Sequence, residues 1–203
     1  TQTTTSNSSA FGAGALQNST ASNNTGVGYN ALHNTANAAN NTAVGSEALL
    51  TNQTGTENTA VGRKALRLNT ASNNTAVGSS ALLSNTTGAN NVAVGFQALT
   101  SNVTGTHNIA IGYLANSAAN TGDENVSIGS GALQTNTSGY RNTVIGHAAG
   151  QGNTTGHSNT AVGRNALVSN QSGNDNLALG KHTLYSSTTA TSNVALGSSS
   201  MYH

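Results

Sequence analysis

An asparagine stands four residues ahead of a glycine that returns every 16 or 17 residues along the whole chain, and this limits the fold more than any other feature. The repeated glycines are Gly12, Gly28, Gly45, Gly62, Gly78, Gly95, Gly112, Gly129, Gly146, Gly163, Gly180 and Gly197. A fixed period of this size means one supersecondary unit stacked many times, each copy burying the face its neighbour leaves open. The expected organisation is a single repeat domain over residues 1–203, with one coil centred on each glycine.

With each glycine as position zero, the columns read Asn-(Thr/Val)-Ala-Val-Gly-x-x-Ala-Leu, followed by a polar return segment. Position −1 is apolar in every copy, −2 is Ala, Gly or Ser except at Val144, and +4 is Leu or Met except at Asn116 and Gly150. Asn-Thr-Ala-Val-Gly alternates branched and small residues, which is strand periodicity. The Ala-Leu pair opens either a second extended stretch or a tight corner. No window keeps apolar residues at i, i+3, i+4 and i+7, so a helical repeat is disfavoured. Antiparallel hairpins would favour Asn-Gly or Asp-Gly turns, and neither dipeptide occurs. The sequence therefore predicts an all-β chain: a parallel β-roll, or β-solenoid, of about 12 coils with a 17-residue repeat. Seven copies place glycine at +10 (Gly55, Gly88, Gly105, Gly122, Gly139, Gly156 and Gly173), where a turn of positive φ is expected.

In a parallel stack each residue sits roughly 4.8 Å above its equivalent, so twelve coils make a rod of roughly 55 Å. The −4 column (Asn24, Asn41, Asn58, Asn74, Asn91, Asn108, Asn125, Asn142, Asn159, Asn176 and Asn193) then forms an amide ladder between coils, with Ser8 the one exception. The competing role for this asparagine is that of a turn former. Each coil is expected to bury one Val, one Leu and two Ala, a thin core of order 5 kcal/mol. The flat face of small residues at −2 is expected to receive another chain, so the sequence predicts an oligomer.

Composition narrows the function. Only 5% of residues are charged and the net charge is +1, which leaves no basic patch for nucleic acid or an anionic membrane. There is no proline, and the 34% of hydrophobic residues are strictly spaced, which argues for order. Without cysteine there is no disulfide framework or thiolate metal site. The segment Thr1–Thr5 lacks the basic and apolar regions of a signal peptide, and no apolar run reaches membrane-spanning length. The histidines (His33, His107, His147, His157, His182 and His203) fall in different columns, so no convergent metal set is expected. The carboxylates Glu47, Glu57, Asp123, Glu124 and Asp175 are scattered over several coils, and no catalytic motif is present, so neither an enzyme nor a cofactor is expected.

Column +1 varies most and holds Tyr29, Arg63, Phe96, Tyr113, His147, Arg164 and Lys181, a candidate stripe for a glycan or receptor. Asn52, Asn85, Asn102, Asn136, Asn153 and Asn170 share column +7, and each begins a glycosylation sequon, which would set sugars along one loop edge. Threonine recurs at −3 (Thr25, Thr42, Thr59, Thr75, Thr143 and Thr160), which suggests ice binding as an alternative. Gly12 to Gly197 spans 185 of 203 residues, and 203 − 185 = 18 lies within one residue of the period, so the expectation is either head-to-tail filaments or an excerpt from a longer repeat protein.

The motif Asn-Thr-Ala-Val-Gly-x-x-Ala-Leu, at Asn41 to Leu49, Asn58 to Leu66 and Asn159 to Leu167, resembles shaft repeats of phage and bacterial trimeric fibre proteins. It is also similar to the heads of trimeric autotransporter adhesins, whose coils carry a related Asn-Ser-x-Ala-Ile-Gly motif. The resemblance covers about Ser8 to Met201. It implies a left-handed roll and three chains side by side. It also implies an extracellular, cell-surface or virion location and a structural or adhesive role.

Overall fold

The computed structural model describes residues 7–202, so Thr1–Thr5 and His203 lie outside the described residues. Twelve strands of three residues, from β1 (Ser9–Phe11) to β12 (Val194–Leu196), form one parallel sheet in sequence order. Each strand occupies columns −3 to −1, and every pair is in register, as in Thr42↔Thr59, Ala43↔Ala60 and Val44↔Val61. The chain is a β-solenoid with a repeat of about 17 residues, and no helix occurs among the described residues.

Each coil has one strand rather than two. The Ala-Leu pair makes a tight corner, because both +2 and +4 adopt the left-handed conformation. At +4 this falls on leucine, as at Leu49 (φ 49) and Leu66 (φ 50). That conformation costs an L-residue about 1–2 kcal/mol. Burying a leucine contributes about 1.5–3 kcal/mol, enough to offset it. The corner is also tied to the next coil, where the Leu49 N–H donates to the Ala65 carbonyl at 3.0 Å.

The two faces of the strand have the opposite sense to that expected. From β2 (Thr25–Val27) onward the small −2 residues point inward and are sealed, packed with the +3 alanines and +4 leucines. The −1 residues point out: Val44 is 36% and Ile111 38% exposed. Hence the −1 valine is not part of the core, and the small-residue face is not open to another chain. Volume explains the inversion, since a coil this narrow closes around one leucine and small partners.

Glycine at zero is required by close approach as well as by φ. At Gly12 (φ 130) an added Cβ would lie 2.6 Å from the Gly28 carbonyl oxygen of the next coil. The glycines at +10 have no positive φ, against expectation. They serve a different need. At Gly105 a Cβ would meet Asn102 Oδ1 at 2.5 Å and the Gly122 carbonyl oxygen at 2.6 Å.

Departures from the pattern compensate one another in one coil. Gly150 replaces the +4 leucine where Val144 replaces the −2 alanine, and the valine methyl carbons fill the space, 3.3 Å from where a Gly150 Cβ would stand. Asn116, the other +4 exception, has no such partner. Its side chain is fully buried, both amide atoms lack a hydrogen bond, and the apolar core divides there into a Leu16–Ala115 part and an Ala132–Ala195 part. Leucine at this position would join the two and remove an unsatisfied buried amide. The expected gain for Asn116→Leu is about 1–3 kcal/mol, read as a higher urea unfolding midpoint; an unchanged or lower midpoint would refute the account.

Candidate functional site

The −4 asparagines from Asn24 to Asn176 are buried, Asn193 at the end of the stack is half-buried, and the column performs two tasks. Oδ1 accepts from the backbone N–H of the equivalent asparagine one coil on, as from Asn125 to Asn108 at 3.0 Å. Nδ2 crosses the coil to donate to the carbonyl at +10, as from Asn108 to Gly122 at 2.9 Å. Ten such rungs run from Asn24 to Asn193. At the exception, Ser8 Oγ accepts the same bond from the Asn24 N–H at 3.1 Å.

Column +7 forms a second ladder. Asn85, Asn102, Asn136, Asn153 and Asn170 each donate through Nδ2 to the glycine carbonyl three residues on. They also bond the asparagine amide of the preceding coil, for example Asn102 to Asn85 at 2.8 Å. Asn69 and Asn120 join this ladder without being sequons. Asn52, Asn85, Asn102, Asn136, Asn153 and Asn170 are therefore enclosed, at most 2% exposed, and not set along a loop edge. The recurring Asn-x-x-Gly spacing was the signal for this role.

The seven +1 side chains (Tyr29, Arg63, Phe96, Tyr113, His147, Arg164 and Lys181) are all exposed and lie along one edge just after the corner glycine. Phe96 and Tyr113, on consecutive coils, stack with ring centroids 5.6 Å apart and planes 11° apart. His147, Arg164 and Lys181 occupy three consecutive coils, whereas Ser46 and Ser79 separate Tyr29, Arg63 and Phe96. Between Tyr113 and His147 the coil carries Ser130 and Gly131, and this gap opens a cleft of about 210 Å³. Its wall includes Gln134 and Gln151 from column +5, joined by a 2.7 Å bond from Gln151 Nε2 to Gln134 Oε1. Column +5 carried no signal in the sequence, because its residues vary from coil to coil.

The carboxylates do not converge. Glu47 pairs with Arg67 at 2.7 Å, Glu124 pairs with Arg141 at 3.0 Å, and Asp123 accepts from the Thr106 N–H and hydroxyl. The Arg67 hydrogen bond holds the Glu47 carboxyl below its usual range, against a smaller opposing effect of burial. No group of three or more His, Asp or Glu among the described residues could hold a metal ion. No helix among them is long and apolar enough to cross a membrane. No protein-family model, curated protein or solved structure matches the chain.

Asn108 tests the ladder. Alanine there orphans the Gly122 carbonyl and the Asn125 N–H, at about 1–3 kcal/mol each, seen as a lower unfolding midpoint. Asn108→Asp keeps the acceptor but buries a charge facing a carbonyl, so its folded-state pKa rises. Its stability should be lowest at neutral pH and recover as pH falls through the carboxylate range. Wild-type stability at every pH would show that the amide nitrogen is dispensable.

Proposed function

We propose that this chain is a structural rod of an extracellular fibre shaft or adhesin head, non-catalytic and assembled side by side with copies of itself. The supporting observation is the outward strand face. Columns −3 and −1 present Thr, Val, Ile and Leu on coil after coil, with Val77, Ile111 and Ile145 each 37–38% exposed. A contiguous apolar strip of this length on a soluble surface usually marks an interface. Any partner for it must repeat at one rung, roughly 4.8 Å. A second copy of the chain meets that condition without further design. The fibre and adhesin resemblance supplies the number three and the cell-surface or virion setting.

A mass of three chains of 20.1 kDa, in elongated particles, is the expected result of light scattering and electron microscopy. The combined Val77→Lys, Ile111→Lys and Ile145→Lys variant should be monomeric with an unchanged strand circular dichroism signal. A wild-type chain that stays monomeric at high concentration overturns the side-by-side reading.

Ice binding is a second reading, favoured by one run. Thr25, Thr42, Thr59 and Thr75 stand on four consecutive strands beside Val27, Val44, Val61 and Val77, two outward ranks on one sheet. Thermal hysteresis lost on Thr42→Lys and Thr59→Lys would support it, and none in the wild type ends it.

A further inference from the structure

We infer that the cleft between Tyr113 and His147 binds one neutral pyranose ring of a surface glycan. The inference rests on the adhesive reading above and assigns it a site.

Three features of the cleft converge on that ligand. The first is a half-covered aromatic platform. Phe96 stacks on one face of Tyr113, and the other face borders the space left by Ser130 and Gly131. An exposed aromatic face takes the C–H face of a sugar ring, a contact that is apolar and orientation-specific. The second is a pair of amides left half-used. The bond between Gln151 Nε2 and Gln134 Oε1 consumes one donor and one acceptor, leaving Gln134 Nε2 and Gln151 Oε1 to bond a guest. Neighbouring ring hydroxyls, each both donor and acceptor, match such a pair. The third is neutrality. No Asp, Glu, Lys or Arg lines the cleft, so nothing there is built to hold an ion.

Size separates a sugar from a flat base. Tyr113 and His147 stand two rungs apart, roughly 9–10 Å at about 4.8 Å per rung. A nucleobase sandwiched between two rings fills only roughly 7 Å, at about 3.4 Å per stacking step. A puckered saturated ring is thicker and fills the remainder. The single aromatic contact and few amide bonds place the affinity for one ring in the millimolar range.

The probes are methyl β-glucoside, methyl β-galactoside, methyl N-acetyl-β-glucosaminide and adenosine monophosphate, each titrated to high millimolar concentration against the full chain. The readout is the side-chain amide resonances of Gln134 and Gln151 by NMR. At least one glycoside should shift both resonances. Tyr113→Ala should weaken that binding about tenfold. Ser130→Tyr fills the gap with a residue that column +1 already accepts at Tyr29 and Tyr113, so it should abolish binding without disturbing the fold. Ser79→Tyr, the same change three coils away, should leave binding intact. No shift with any glycoside, a response to adenosine monophosphate alone, or binding that survives Ser130→Tyr overturns the inference. Particle shape and mass measured on the same samples report separately on the rod, so an intact fibre without sugar binding would sink only this site.

Discussion

The structure depends on one hydrogen bond repeated along its length, from the backbone N–H of each −4 asparagine to the Oδ1 of its predecessor. That bond fixes the rotational position of each coil on the next. The same side chain then spans the coil to the +10 carbonyl, so the strand start and the return segment are held at one separation. A buried amide bonded at both ends is worth keeping, and one bonded at neither is costly. The narrow interior follows, because a coil braced at this width has room for one leucine and its alanines. Glycine at zero follows too, since no Cβ fits beneath the carbonyl of the coil above.

Much of this was legible in the residues, and the misreadings share a physical origin. Period, strand position and the −4 ladder could be read because each is a strict column. Strand alternation showed that −1 and −2 lie on opposite faces, but alternation alone carries no sign. The sign comes from volume: the +4 leucine already fills the coil, so only Ala, Gly or Ser fits opposite it, and valine is driven outward. The +10 glycine is ambiguous in sequence because a glycine in a loop has two possible uses, and at Gly105 the use is closeness to Asn102 and Gly122 rather than φ. At +4 the reverse held. Leucine at positive φ opposes local preference and exists only because packing outweighs it. The +7 asparagines were hidden by coincidence, since Asn-x-Thr reads as a sequon while Asn-x-x-Gly is the spacing that shapes the coil. The cleft could not be foreseen, as it arises where two small residues happen to fall between two large ones.

The exceptions show how much irregularity such a stack absorbs. Val144 with Gly150 exchanges volume across the coil and leaves the core closed. Ser8 keeps the rung with a hydroxyl in place of an amide. In the shorter Gly62 coil, Asn58 and Asn69 both turn to the Ala71 carbonyl, at 2.8 and 2.7 Å, so the loss of a residue is confined to the return segment. Asn116 alone sits in the leucine column with neither apolar contact of that size nor a side-chain hydrogen bond, and the core parts there.

The ladder also has a direction. Every acceptor belongs to the earlier coil and every backbone donor to the later one, so the two ends of any stretch of rod are chemically unlike. A ribosome delivers the coils in that same order, offering each new amide hydrogen to an oxygen already fixed in place. Folding can thus proceed vectorially, each finished turn acting as the mould for its successor, and the long reach between the first and last coil never has to be searched as a whole.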